Sequence, residues 1–336
     1  VNADATDEII GLPRALAIVG PTASGKSRLA LWLAQRLELP VLCCDSVQVY
    51  RGLDIGSAKP DAARRGRVAH RLIDLVAPDA EFSAGDYAAA ALAEVGEGPA
   101  LFAGGTGFYL RAAAWTHSGE GIADADDVTR GAFTGEWERR EREQPGCVHA
   151  ALSRTDPETA ATIHPRNVVR ALRALWLCEA HGGPVSALRA VDPPRPRLAL
   201  ALVVLEPEQV ALDRAIDARC DAMMGAGFLA EVEMLREAGY DARHKSMRSL
   251  GYRQLLDHLA GHHSLADAVA AIKLATRHYA RRQRTYFKTQ LPSASRISIT
   301  ASLWDPAVDL AEETAAWLPN LQRFLAGERM GGGVNA

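Results

Sequence analysis

Short apolar runs alternate with amphipathic stretches along this chain. Residues 15–19 (ALAIV) form the first run, and 41–44 (VLCC), 72–76 (LIDLV), 100–103 (ALFA) and 198–205 (LALALVVL) follow it. Such runs read as strands. After the first, Leu29, Leu33 and Leu37 recur every four residues, the spacing of a helix that packs on a sheet by one face. Helical patterns separate most of the runs. The alternation predicts an α/β fold, a parallel sheet flanked by helices.

From residue 116 to 197 the pattern changes. Charged, helix-prone stretches appear at 136–142 and 167–179, strand signals are absent, and the proline-rich run DPPRPR (192–197) closes the segment. The expected organisation is a core whose first part spans 14–115, a mostly helical insertion domain over 116–197, a second core part over 198–327, and a disordered tail at 328–336. Residues 208–236 and 264–288 read as long helices, and no internal repeat is present.

The segment Gly20-Pro21-Thr22-Ala23-Ser24-Gly25-Lys26-Ser27 satisfies G-x-x-x-x-G-K-[ST] between a predicted strand and a predicted helix, the context this motif requires. Glycines let the backbone curl so that successive N–H groups point inward, and the following helix presents its positive end. Lys26 adds a point charge, and the Ser27 hydroxyl can ligate Mg²⁺. The core is therefore expected to be P-loop NTPase-like, with Gly20, Thr22, Ala23, Ser24, Gly25, Lys26 and Ser27 around a phosphate group. The loop does not say which compound carries the phosphate. ATP or GTP is the usual inference, yet no acidic strand end of the kinase type can be placed.

Asp45 follows the run VLCC, at the strand end where open parallel sheets bind ligands. A carboxylate there serves either as a general base or as a water-mediated Mg²⁺ ligand, and the residues alone leave both open. The net charge of −3 does not announce a nucleic-acid binder, so any such claim must come from local clustering. One cluster is Arg277, Arg281, Arg284 and Lys288, at i, i+4, i+7 and i+11, with Arg282 beside it and no acid between 277 and 288. On a helix these make one basic stripe, ordinarily a solvated face and alternatively a track for a phosphate backbone. Arg166, Arg170 and Arg173 suggest a second basic edge. The five cysteines are irregularly spaced without C-x-x-C, which disfavours a disulfide framework or zinc site. No apolar run approaches the roughly 20 residues of a membrane span, and the acidic N-terminus lacks signal-peptide character. A cytoplasmic location, with no membrane partner, is the expectation.

Further segments stand in order behind the phosphate loop: Asp45-Ser46-Val47-Gln48-Val49-Tyr50, Gly56-Ser57-Ala58-Lys59-Pro60, His70-Arg71-Leu72-Ile73-Asp74 and Phe82-Ser83-Ala84-Gly85-Asp86-Tyr87. Then come Gly104-Gly105-Thr106-Gly107-Phe108-Tyr109, Ile163-His164-Pro165-Arg166-Asn167, Leu250-Gly251-Tyr252-Arg253 and Ala275-Thr276-Arg277-His278-Tyr279-Ala280-Arg281-Arg282-Gln283. Together they resemble the signature set of bacterial tRNA dimethylallyltransferases, from about residue 15 to 290. The resemblance implies transfer of a dimethylallyl group from its diphosphate to N6 of adenosine 37, in tRNAs reading codons that start with U, with Mg²⁺ assisting. The products would be N6-isopentenyladenosine and diphosphate, so the loop would hold a leaving diphosphate.

By that resemblance Asp45 is the general base, and Thr106 stabilises charge on the leaving group. Thr22, Lys26 and Arg219 bind diphosphate, and Ser46 and Gln48 bind the adenine, Gln48 by reading its edge. Arg166, Arg170, Arg277, Arg281, Arg282, Gln283 and Arg284 contact the tRNA anticodon stem-loop. A base modified at N6 must leave its stack, which implies a tunnel where donor and flipped adenosine meet between Asp45 and Thr106. A monomer is expected. The chain departs from the family at Ser57 (usually Thr), Asn167 (often Asp), Trp176 (often Glu) and His117-Ser118-Gly119-Glu120 (usually SPLP). None of these positions touches the chemical centre that the resemblance implies. The rivals are an adenylate isopentenyltransferase acting on free AMP, ADP or ATP, a P-loop small-molecule kinase, and a non-catalytic RNA-binding regulator.

Overall fold

The computed structural model describes residues 11–96, 98–118, 127–291 and 296–328. These fall into two compact units, one within Val1–Ala114 and Arg197–Ala336, the other within Trp115–Pro196. The first unit is built on a six-stranded, wholly parallel sheet: β1 (Arg14–Val19), β2 (Val41–Cys44), β3 (His70–Arg71), β4 (Ala100–Gly104), β5 (Ala199–Leu205) and β6 (Arg296–Ile299). Their order is β3-β2-β4-β1-β5-β6. This order brings the carboxyl ends of β1, β2 and β4 together, and the loops leaving those three strands carry the chemistry below.

In chain order the helices of the first part are α1 (Lys26–Leu37), α2 (Ala62–Arg67), α3 (Ala84–Val95) and α4 (Gly107–Ala114). The second unit contributes α5 (Asp127–Glu143), α6 (Cys147–Thr155), α7 (Pro157–Ala161), α8 (Val168–His181) and α9 (Val185–Val191). The chain then returns to the first unit with α10 (Gln209–Gly225), α11 (Phe228–Glu237), α12 (Tyr252–Leu259), α13 (Leu265–Thr289), α14 (Leu310–Thr314) and α15 (Leu318–Leu325).

Leu16 and Ile18 of β1, with Val203 and Leu205 of β5, pack against Leu29 and Leu33 of α1 and against Trp317 and Leu321 near the C-terminus. Burial of these apolar side chains is the main stabilising term, roughly 1.5–3 kcal/mol for each large one. The Arg14 guanidinium donates to the carbonyls of Phe324, Gly327 and Glu328, satisfying acceptors that the end of α15 leaves open. In the second unit Val148, Leu152, Leu172 and Leu175 form a separate core. Asp156 is fully buried there and accepts from Thr159 N–H and from the N–H and hydroxyl of Ser186, which ties α7 to α9. Burial works to raise its pKa, but those hydrogen bonds prevail and hold it at about 2. Asn167 caps α8 by accepting from Arg170 N–H. Trp176 is buried, and its indole N–H has no partner among the described residues.

Three sequence expectations differ from this architecture. The run 72–76 is not a strand: β3 ends at Arg71, and Leu72 and Asp74 take left-handed φ of 61° and 56°. The Asp74 carboxylate is held 2.6 Å from the Lys59 ammonium, which pulls the segment out of the pleat. The single helix expected over 208–236 is two, because Gly227 at φ 99° ends α10 in the left-handed conformation that stops a helix. The edge strand β6 was missed, since RISI is too short to give a period. The expected tail, from 329 onward, and residues 119–120 lie outside the described residues. No helix among the described residues is long and apolar enough to cross a membrane.

Candidate active site

The loop from β1 to α1 curls as its motif requires. Ala23 and Gly25 have φ of 62° and 92°, and Gly25 N-caps α1 without a side-chain acceptor. Arg28 N–H donates to Gly25 O, which leaves the N–H groups of Lys26 and Ser27 for an anion. The Lys26 ammonium donates to Pro21 O at 2.6 Å. Burial first, and then the neighbouring Arg219 charge, lower its pKa to about 7, against the opposing pull of Asp45. Arg219, on α10, is also lowered by burial. Its guanidinium has no hydrogen bond or ion pair among the described residues. Ser24 is fully buried, and its Oγ has no partner among the described residues.

The loop after β2 is organised around Asp45. Its Oδ1 accepts from Val47 N–H at 2.9 Å and Gln48 N–H at 3.3 Å, a turn that fixes the carboxylate and leaves Oδ2 without a partner among the described residues. Gln48 donates its amide to the carbonyls of Ser57 (3.1 Å) and Ala58 (3.4 Å), keeping its oxygen. The loop after β4 locks onto the same turn. Thr106 N–H donates to Cys44 O, while Thr106 Oγ1 accepts from Ser46 N–H at 3.0 Å and donates to Ser46 Oγ at 3.3 Å.

The segment 54–60 is held by two buried charges. Glu231 accepts from the N–H groups of Asp54 (3.0 Å), Ile55 (2.6 Å) and Gly56 (3.1 Å) and from the Tyr252 hydroxyl (2.7 Å). Lys59 donates to Tyr50 O, Asp54 and Asp74. Burial raises the Asp74 carboxyl, but its bonds to Lys59 and Arg65 outweigh this and lower its pKa overall.

These pieces enclose a cavity of about 340 Å³, the size of a small-ligand site. Lys26, Arg64 and Arg219 line it with Asp45 as the one carboxylate, and Ile216, Met223, Phe228 and Ile272 give it an apolar portion. Thr22, Ala23, Ser27, Ser46 and Gln48 also line it. Gly20, Ser24 and Gly25 are not on the cavity wall. Thr106 is not on the cavity wall, where its neighbour Gly105 stands instead. Among the described residues no group of three ligating His, Cys, Asp or Glu side chains stands ready for a metal ion.

The basic stripe of α13 runs beside α10. Arg277 pairs with Asp217, Arg281 lies 3.6 Å from Asp213, Lys273 lies 2.6 Å from Asp221, and Arg284 donates to Gln209 at 2.8 Å. Arg277, Arg281 and Arg284 thus form an antiparallel ladder with α10, in which Arg281 stays exposed. Gln283 also lines the cavity; it is 5% exposed and both ends of its amide are engaged inside the protein. Arg282 remains exposed, 5.9 Å from the Tyr279 ring centroid. Arg166 and Arg170 are exposed in the second unit. Tyr279 and Glu231 were not foreseen. Tyr279 lines the cavity, and burial with the Asp45 charge raises it to about 12. The signal for the ladder lay in the sequence, since Asp213, Asp217 and Asp221 share the four-residue spacing of one helix face.

The profile of the IPP transferase family matches residues 48–290, and an isopentenyl transferase profile matches residues 13–73. The chain is 41% identical over 291 residues to tRNA dimethylallyltransferase 1 of Trichlorobacter lovleyi, covering 83% of this chain and 92% of that protein. It is 44% identical over 285 residues to tRNA dimethylallyltransferase of Roseiflexus castenholzii, covering 83% and 90%. The crystal structure of full-length tRNA isopentenylpyrophosphate transferase from Bacillus halodurans is similar at a TM-score of 0.63 and 31% identity, covering 94% of this chain and 96% of that one. A eukaryotic dimethylallyltransferase structure, described as acting on tRNA, shares the fold at a TM-score of 0.77 and 21% identity, covering 95% and 81%. With a family match over most of its length, this chain belongs to the IPP transferase family.

Proposed function

We propose that this chain transfers a dimethylallyl group from dimethylallyl diphosphate to N6 of adenosine 37 in the anticodon stem-loop of tRNAs that read codons starting with U. The observation that carries this reading is a single cavity lined by Lys26, by the unpartnered Arg219 and by Asp45. Arg64 lies 3.8 Å from Asp61, so Lys26 and Arg219 are the cations that face the one carboxylate, and burial lowers the pKa of both; a diphosphate supplies the negative charge they lack. The apolar portion suits a five-carbon chain.

Adenosine N6 attacks C1 of the allylic group as the C1–O bond breaks, and the electron pair leaves with diphosphate. Lys26 and Arg219 hold the departing charge, which is where preorganised cations help most. The N6 proton passes to Oδ2 of Asp45, whose other oxygen is fixed by two backbone N–H groups. Gln48, with its NH₂ anchored, keeps its oxygen for the adenine edge. Thr106 acts by holding the Asp45 turn through Ser46. The Ser27 hydroxyl, on the cavity wall, would hold magnesium. When bound, it adds positive charge beside the leaving group. Exposed Arg166, Arg170 and Arg282 contact RNA phosphates.

The test incubates the full chain with labelled dimethylallyl diphosphate and an anticodon stem-loop RNA. Label on the RNA at adenosine is the expected result. Label on free AMP but not on RNA favours an adenylate isopentenyltransferase, and transfer from labelled ATP favours a kinase.

A further inference from the structure

Gln283 spans two loops that are far apart in sequence. It sits on α13 with 5% exposure. Its Oε1 accepts Thr22 N–H at 2.8 Å, and its Nε2 donates to Gly105 O at 2.8 Å. Thr22 belongs to the phosphate loop, and Gly105 directly precedes Thr106, which fastens the Asp45 turn through Ser46. A Cβ at Gly105 would lie 2.3 Å from Nε2, so a glycine is needed for the approach. One planar amide therefore measures the distance between the loop that faces the leaving group and the loop that carries the base.

From this juxtaposition we infer that Gln283 is a positioning residue that sets the separation of phosphate loop and Asp45 turn for the transfer reaction proposed above. The amide is the group this bridge demands. Thr22 N–H can only donate and Gly105 O can only accept, so the orientation of the Gln283 amide is dictated. An ionised glutamate offers no donor to Gly105, and methionine offers neither group. Thr22 N–H is engaged by Gln283, so Thr22 meets diphosphate through its side chain alone. Misplacing one reacting partner by about 1 Å costs on the order of 100-fold in rate.

The experiment uses full-length wild type, Gln283→Met and Gln283→Glu, each checked for an unchanged far-UV spectrum. Single-turnover transfer is measured with saturating donor and stem-loop RNA, together with KM for each. Gln283→Met lowers the rate roughly 10- to 100-fold while both KM values change less than about threefold. Gln283→Glu is equally slow where its carboxylate is ionised. It recovers towards wild type as pH falls, because a protonated carboxyl both donates to Gly105 and accepts from Thr22. Lys26, Asp45, Arg64, His70, Arg219 and Tyr279 face the same cavity, so the variant is read as a ratio to wild type at each pH. A Gln283→Met rate within about twofold of wild type, or a flat Gln283→Glu ratio, overturns the inference. Hydrogen exchange at the Thr22 amide gives a readout independent of the reaction: protection in wild type that is lost in Gln283→Met supports the bridge, and equal protection overturns it. If wild type transfers nothing while that protection is lost as expected, the reaction falls and the bridge stands.

Discussion

Replacing Glu231 by glutamine tests how the segment over the cavity is held. The carboxylate is 4% exposed and takes four hydrogen bonds, three from consecutive backbone N–H groups and one from Tyr252. Glutamine keeps the volume and one oxygen. Its NH₂ end meets at least one backbone N–H donor to donor, which leaves that group buried and unsatisfied at about 1–3 kcal/mol. The surviving bonds lose their charge assistance, roughly half their strength. Relief from burying a charge offsets part of the loss. The net effect is about 3 kcal/mol, which lowers the thermal midpoint of a unit this size by roughly 6–12 °C. Glu231→Ala lowers it further, since all three N–H groups then lack an acceptor. Calorimetry on the full chain reads the midpoint. Transfer kinetics read the KM for stem-loop RNA, which rises because Gln48 is anchored on Ser57 and Ala58 of the same segment. Midpoint shifts below roughly 2 °C for both variants would refute the claim that this carboxylate organises the segment.

Ser24→Ala removes a buried hydroxyl without a partner among the described residues and raises the thermal midpoint by roughly 2–4 °C, the effect of about 1 kcal/mol; a lower midpoint shows that the hydroxyl is satisfied in solution. For the ladder, Asp217→Asn and Arg277→Gln each destabilise by about 0.5–1 kcal/mol, and in the double variant the losses fall short of additive. Replacing Arg277 or Arg281 leaves the salt dependence of stem-loop binding unchanged, whereas a log–log slope reduced by about 0.7–0.9 per residue would show that they contact phosphate. Lys26 is lowered from 10.5 to about 7, so the unfolded chain binds more protons between those values and this group's contribution to stability rises with pH across that window. A diphosphate beside the ammonium reverses the shift. Calorimetric titration with inorganic diphosphate at about pH 8.5, in buffers of different ionisation enthalpy, shows more proton uptake for wild type than for Lys26→Met; equal uptake contradicts the assignment.

What the sequence revealed was local. The phosphate loop is one contiguous motif, and buried strands such as β1 and β5 are continuous apolar runs, so both were readable. The run 72–76 misled because its apolar content matches a strand while its backbone is bent by the pairing of Asp74 with Lys59, fifteen residues earlier. The acidic partners of the basic stripe of α13 lie on another helix, Asp217 being 60 residues before Arg277. A stripe read by itself looks solvated. Its fate is decided by the helix packed against it. Gln283 bridges partners 261 and 178 residues away, and Glu231 binds a segment about 175 residues upstream. No periodicity or spacing marks such a residue, because its chemistry exists only after the sheet has brought three loops to one edge.

The central claim is that the carboxylate of Asp45 takes the adenosine proton while the phosphate loop retains the leaving diphosphate. Asp45→Asn tests it most directly, because asparagine keeps the turn's side-chain oxygen and cannot accept that proton. Single-turnover transfer to stem-loop RNA is predicted to fall by about 10²–10⁴, with the affinities for dimethylallyl diphosphate and RNA within about threefold of wild type. Transfer by the Asp45→Asn protein within about threefold of the wild-type rate would contradict the account.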